Sequence, residues 1–553
     1  MPTMEITVGP PQVSDVVHAR RWWTLGTLCV ALIVIGVDNT ILNVALPSIV
    51  RDLNASGSQL QLMVDAYTIV FACLLLTAGS LGDRYGRRHA LMFGLTWFGV
   101  SSALASTVST PTQLIGARGL MGIGGAFIFP TTLSILTNTF RDPAERAMAI
   151  GIWAGVSGIG IALGPLAGGL LVEQFGWGSV FLVNLPICSA AMLLAWRFVP
   201  NTSDRAESPL DPLGALFSIV GFLFLLYGII EGPDRGWTSP VVLISLGVGA
   251  LFITLFGLWE WRNPAPMLDV RFFKNARFSA ASATITLTFF GFYASTFLLT
   301  QYFQFILGYS PLKAGVLIVP TAVGLMIGSP LAPRLVNRAG TKRVVVLGLG
   351  LVTIGMACYA SNSIMSNFWL GLVVRLITGL GFGITSAPVT ESIMGSLPPS
   401  RAGVGSAVND TTRQTGGALG VAVIGSIFAA RYHSEIGKLL FVPASVRAVA
   451  HESIGTSLQV AARLGRVTGG HLVSVATHAY LQSMRVTYAV SVMIIVVAMV
   501  VAYRFLPATA HPSGGIEPRD VRALPSVDDG LEQSPGRDHR DGRLVDAPRG
   551  RPR

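Results

Sequence analysis

The chain has 553 residues, of which only 12% are Asp, Glu, Lys or Arg and 51% are hydrophobic, and a further 62 are glycine; its mean hydropathy is +0.60. A water-facing globular surface needs about twice that charge density, so a soluble protein of this length is excluded and the apolar material must face lipid. The formal charge of +11 would suit nucleic acid in a soluble protein. Here the excess cations lie between apolar runs, where they mark loops facing an anionic leaflet, and no nucleic-acid partner is expected.

In chain order, a short tail (1–22) leads through Arg20 and Arg21 into an apolar run that continues past the length of a signal peptide, predicting a retained first span. Runs of about 20 residues, enough to cross ~30 Å of hydrocarbon, then recur. Fourteen are predicted, near 24–47, 60–82, 90–109, 113–137, 147–171, 179–198, 212–231, 239–261, 278–302, 312–333, 343–363, 366–390, 403–430 and 485–505. Cys29, Cys73, Cys188 and Cys358 fall singly within such runs and read as small hydrophobes. Leaving aside 431–484 and the C-terminal tail, 18 Lys and Arg lie in loops on the N-terminal side of the membrane and three, Arg51, Arg235 and Lys313, on the other. That asymmetry, like the even span count, predicts both termini in the cytoplasm and 431–484 outside, with weak helical periodicity near Val446–Leu464. The last residues, 506–553, are rich in Pro, Gly, Arg and Asp and are expected to be disordered.

An internal repeat emerges when the spans are aligned. Asp83-Arg84-Tyr85-Gly86-Arg87-Arg88 is echoed 254 residues later by Asn337-Arg338-Ala339-Gly340-Thr341-Lys342, and Arg118-x3-Gly122-x-Gly124 is echoed 257 residues later by Arg375-x3-Gly379-x-Gly381. The expected fold is therefore all-α and integral to the membrane: a six-helix bundle (23–200), two inserted helices (211–262) and a second six-helix bundle (277–505) that includes the 431–484 loop.

Four motifs make the chain resemble the major facilitator superfamily, in its fourteen-span drug:proton antiporter branch of EmrB/QacA type. They are Asp38-Asn39-Thr40-Ile41-Leu42-Asn43-Val44-Ala45-Leu46-Pro47, the loop Gly79–Arg88, Gly160-x3-Gly164-Pro165-x2-Gly168-Gly169, and Gly403–Gly420 with Asn409-Asp410-Thr411-Thr412-Arg413-Gln414. The resemblance implies alternating access and export of lipophilic or cationic drugs against inward proton flow. The location it implies is a bacterial inner membrane, with membrane lipids and small substrates as partners, a monomeric state, and no cofactor beyond the proton gradient.

Within that frame each motif has a physical reading. Gly160, Gly164, Pro165, Gly168 and Gly169 remove bulk and a backbone donor, so the fifth span is expected to bend or pack closely on a moving neighbour; plain close packing is the alternative. Asp83, Arg84, Gly86, Arg87 and Arg88 are expected to latch one access state and to anchor the cytoplasmic face. Arg118, Arg375 and Arg413 lie deep in spans, where an unpaired charge is costly, and Asp38, Asp65, Glu391 and Asp410 are the deep acids. Desolvation moves a carboxyl toward neutral titration, as a proton carrier requires, and an adjacent Arg opposes that shift. Asp38, Arg118 and Asp65 are the predicted proton-coupling group, with a fixed structural role for Asp38 or Asp65 as the alternative. Glu391, Asp410, Arg413, Arg375, Phe292, Tyr293 and Gln301 are predicted to line a substrate cavity or gate. Asp410 and Arg413, three apart, share a helical face and are within reach of a local ion pair.

Other classes find little footing. No G-x4-G-K-[ST] exists for an ATP-driven pump, since Gly437-Lys438 is followed by Leu439. The chain has no H-E-x-x-H or G-x-S-x-G, and none of its eight histidines falls in a predicted span, so neither an enzyme nor a metal site is expected. An exporter of endogenous lipids or metabolites, and a transport-inactive receptor or scaffold, are the remaining readings.

Overall fold

A computed structural model describes residues 15–53, 57–202, 211–264, 266–361, 368–397, 401–436 and 454–507. The described residues are helical nearly throughout. In chain order the helices are α1 (Asp15–Leu53), α2 (Gly57–Tyr85), α3 (Arg87–Thr107), α4 (Pro111–Thr139), α5 (Pro143–Phe175), the short α6 (Ser179–Leu182), α7 (Asn184–Phe198), α8 (Pro212–Arg235) and α9 (Pro240–Arg262). After these come α10 (Ala276–Gln301), α11 (Pro311–Ala339), α12 (Thr341–Tyr359), α13 (Phe368–Met394), α14 (Ala402–Ile436), α15 (Ile454–Arg463) and α16 (Arg466–Phe505). Thirteen described helical stretches, α6 and α7 counting as one, are long and apolar enough to span a membrane. With the 33 residues of α5 the expected fourteen are present among the described residues. This is a multi-pass membrane protein.

Local chemistry sets the helix starts. Thr110-Pro111, Asp142-Pro143, Asp211-Pro212, Ser239-Pro240 and Ser310-Pro311 each place a capping oxygen before a proline at the first helical position, and each cap accepts a backbone N–H from the first turn. Such pairs satisfy a donor that lipid would leave unpaired.

Packing follows the internal repeat. In the N-terminal half α4 packs on α2 and α3, α1 on α5, and α7 on α1 and α3; in the C-terminal half α13 packs on α11 and α12, α10 on α14, and α16 on α10 and α12. Two seams join the halves, α2 with α14 and α5 with α11, which exchange under the pseudo-twofold relation. Gly86 and Gly340 occupy equivalent turns at φ +110° and +84°, a conformation that β-carbon sterics deny most residues. The inserted pair, α8 and α9, breaks the symmetry, because α8 packs on α2 and α14 and covers one seam. There Leu226 is buried against Ile69, Ala72 and Cys73, and Trp237 donates its indole N–H to Ser426 at 2.6 Å.

One boundary is corrected. Residues 431–484 are not a continuous loop: α14 runs to Ile436 and the last helix starts at Arg466, about 20 residues before the apolar run, placing His471 and His478 inside a helix. Hydropathy missed this because α16 begins amphipathic; Leu472, Ala476, Ala479 and Tyr480 are buried while His471 and His478 are exposed. Of the predicted Val446–Leu464 periodicity, 454–463 forms α15 against α16, and 437–453 lies outside the described residues, as do 1–14 of the N-terminal tail and 508–553 of the C-terminal tail.

Candidate functional site

The N-terminal half encloses an ion pair. Asp38 on α1, fully buried, accepts from Arg118 Nη1 of α4 at 2.6 Å, and Arg118 is itself 2% exposed. Arg118 Nε donates to the Met63 carbonyl at 3.2 Å, and the guanidinium lies 4.6 Å from the Tyr67 ring centre. The second carboxylate oxygen of Asp38 accepts from Asn184 Nδ2 at 3.2 Å, and the same amide donates to Ser102 Oγ at 3.0 Å. Asn184 is available because the sixth span breaks after Leu182 and restarts there as α7. Glycines of α4 admit the stack: a β-carbon on Gly125 would meet Tyr67 Oη at 2.9 Å, and one on Gly122 the Tyr67 carbonyl at 2.7 Å. Asp38 and Arg118 are thus brought together as predicted. Asp65, half-buried on α2, is not among the partners of Arg118. Sequence reading missed Asn184, Ser102 and the Tyr67 ring; Asn184, a lone amide in an apolar run, was the available signal.

The loop signature joins the halves at one end of the bundle. Asp83, fully buried, pairs with Arg87 at 2.7 Å, accepts from Ser134 Oγ at 3.3 Å, and accepts across the seam from the Gly403 backbone N–H at 2.8 Å. Arg87 also reaches Thr202, while Arg84 and Arg88 are half-buried. At the same end Arg146 of α5 meets Glu391 of α13 at 2.7 Å, so Glu391 bridges the halves. Arg146 was not singled out from sequence because it looks like another loop cation.

Helix α5 carries glycines on two faces. Gly160, Gly164 and Gly168 pack on α1 within the same half: a β-carbon on Gly160 would lie 2.6 Å from the Gly36 Cα, one on Gly164 would strike Thr40 Oγ1, and one on Gly168 would sit 2.9 Å from Ile41 Cγ1. The close neighbour of the signature glycines is thus Asp38's own helix, α1. Gly169 is buried beside them, and the Pro165 side chain lies outside the described residues. The opposite face, Gly151, Gly155 and Gly158, meets Ser329, Met326 and Ala322 of α11 across the seam.

In the C-terminal half the charges are not paired in this way. Arg375 is 4% exposed, with the Phe303 ring 5.1 Å away and no ion pair among the described residues. Asp410 and Arg413 do not form the local ion pair their spacing permits; Asp410 accepts from Asn409 Nδ2 at 3.0 Å, and Arg413 sits 4.3 Å from the Phe289 ring and 5.7 Å from Trp153. Two aromatic rings supply what the carboxylate was expected to supply. Phe292 lines a small cleft with Thr321, Tyr359, Thr378 and Phe382. Tyr293, mid-helix on α10, is 39% exposed, and Gln301 lies at that helix's end.

A sequence profile of the Major Facilitator Superfamily matches residues 28–421, and the chain belongs to that family. It is 34% identical to the "Multidrug efflux pump LfrA" of Mycolicibacterium smegmatis over 87% of this chain and 95% of that protein. With the "Multidrug resistance protein Stp" of Mycobacterium tuberculosis it shares 32% identity over 93% of this chain and 97% of the other. The solved proton:xylose symporter XylE overlays with a TM-score of 0.57 at 14% identity, covering 88% of this chain and 96% of that one, a likeness of fold.

Proposed function

We propose that the chain is a proton-coupled exporter of bulky lipophilic or cationic compounds, working as a monomer by alternating access in a bacterial inner membrane with both termini inside. The observation that carries this reading is the Asp38–Arg118 pair: a carboxylate sealed in the apolar core, held by one guanidinium and one amide. Ionisable groups at this depth are costly and characteristically mark proton or substrate paths. A proton arriving at Asp38 cancels the attraction to Arg118, and its departure restores it, so proton occupancy and helix position are linked. The relatives named as efflux and resistance proteins support drug-like cargo, and the cation asymmetry supports the orientation. Asp83 with Gly403, and Arg146 with Glu391, join the halves at one end of the bundle; on this reading that end is cytoplasmic and its contacts belong to a state closed on that side.

One inward proton at about 100 mV and one pH unit supplies ~2.3 plus ~1.4 kcal/mol, and no other cofactor is required. That sustains a gradient of at most about several hundred-fold. The test is uphill transport in vesicles with an imposed pH gradient. Asp38→Asn keeps size and hydrogen bonding but cannot carry a proton, so uphill export falls to background while substrate binding persists. Export that continues with unchanged pH dependence transfers the role to Asp65 or Asp410.

A further inference from the structure

Arg413 and Asp410 present an arrangement that the pair in the other half does not. They lie on one face of α14, yet no ion pair joins them: Asp410 Oδ2 and Arg413 Nη1 are both buried without hydrogen-bond partners among the described residues. Their backbone spacing brings the two within reach, and opposite charges in a low-dielectric interior attract strongly. Something must hold the guanidinium aside, and the rings of Phe289 and Trp153 are placed to do it.

These two rings belong to different halves. Phe289 is on α10, in Arg413's own half, whereas Trp153 is on α5 and is fixed to the N-terminal half by a 3.1 Å hydrogen bond to Thr132 and edge contact with Phe129. Asp410 is fixed to the C-terminal half through Asn409, which accepts from Thr390 of α13 at 3.1 Å. When the halves separate at this seam, Trp153 leaves with α5, and Arg413 and Asp410 stay together. The ionisable groups bearing on this cluster, among the described residues, are Asp410, Arg413 and, from α10, Tyr293; α5 and α13 contribute the neutral Trp153 and Thr390.

Building on the alternating-access reading above, we infer that Trp153 is a positioning residue that withholds Arg413 from Asp410, and that Asp410 is a second proton-binding group of the cycle. With the halves in contact as described, Asp410 holds a proton and Arg413 rests on the two rings. Withdrawal of α5 frees Arg413 to swing onto Asp410; the carboxyl O–H breaks, the proton passes to water, and the carboxylate–guanidinium pair forms.

The test is a pH titration of the infrared carbonyl band of protonated carboxyl groups, on the purified full chain in lipid nanodiscs. Asp410→Asn should remove one titrating band. Trp153→Leu should move that band's titration to lower pH, by about one unit or a tenfold gain in acidity, because Arg413 is no longer held aside; Trp153→Phe, which keeps a ring, should move it little. Arg413→Gln should move it the opposite way and cancel the effect of Trp153→Leu. A folded, monodisperse Trp153→Leu protein with unchanged titration overturns the proposal, as does the absence of any band lost in Asp410→Asn. Should Trp153→Leu fail to fold, an unchanged titration in Arg413→Gln overturns it instead. Since these readouts need no substrate, a protein that titrates as expected but exports nothing counts against the exporter reading alone.

Discussion

The two halves share a fold and a packing scheme but treat equivalent arginines in opposite ways. Arg118 in α4 meets a carboxylate, a backbone carbonyl and a ring; Arg375, its counterpart in α13, meets the ring of Phe303 and, among the described residues, no carboxylate. One scaffold thus holds a buried charge pair and a buried cation set against an aromatic face. The repeated architecture is common to both halves, and side-chain differences at a few buried positions give them different charge environments.

The largest expected effect tests that contrast. Arg118→Leu leaves Asp38 buried without its cation and should cost about 3–5 kcal/mol, the range for breaking a buried pair. Arg375→Leu removes a cation that has no carboxylate partner and should cost no more than about 1 kcal/mol. Thermal unfolding of both purified variants in one detergent measures the difference, and comparable losses of stability would dissolve the distinction.

Most of the fold was legible because lipid forces every span to declare itself as about 20 apolar residues. The repeat was legible because turn glycines and buried arginines fall at matched positions. The start of α16 was not, because its first half is amphipathic and buries its apolar face against protein. At the site, Asp38 and Arg118 stood out as charges in apolar runs, and their pairing followed. The separation of Asp410 from Arg413 was hidden because it depends on Trp153 and Phe289, which come from other helices. Likewise, which face of α5 meets which neighbour is a tertiary fact that the glycine spacing does not encode.

The second contrast is therefore between the two faces of α5. Gly160→Val places methyl groups against Gly36 at a point where backbones already touch, and overpacking of this kind costs about 1–3 kcal/mol. It should lower the yield of folded protein. Gly155→Val meets Met326 across the seam, its β-carbon 3.3 Å from that carbonyl. Folded yield should hold while the two halves are pushed apart, and disulfide cross-linking across the α5–α11 seam should slow. Equal losses of yield would mean that both faces are structural.

The smallest expected effect concerns the sign of the charge at the Arg146–Glu391 end of the bundle. Glu391 pairs with Arg146 of the N-terminal half at 2.7 Å and also feels the charge of Arg277 of its own half; a β-carbon on Gly395 would sit 3.5 Å from Arg277 Nη2 and 3.6 Å from Glu391 Oε1. The pair is partly exposed, at 14% and 18%, so its net worth is about 1 kcal/mol or less. Glu391→Gln removes the only negative charge of the three and leaves Arg146 and Arg277 repelling each other across the seam, which favours separation. Arg146→Gln also breaks the bridge, but Glu391 retains Arg277, and no repulsion is created. Opening at this end should rise about fivefold in Glu391→Gln, the equivalent of ~1 kcal/mol, and by less in Arg146→Gln. The reading is the thiol-modification rate of a single cysteine placed at Ala407, beside the α2–α14 seam, in an otherwise cysteine-free chain. If Arg146→Gln labels faster than Glu391→Gln, the bridge acts through attraction alone and Arg277 plays no part in the gate.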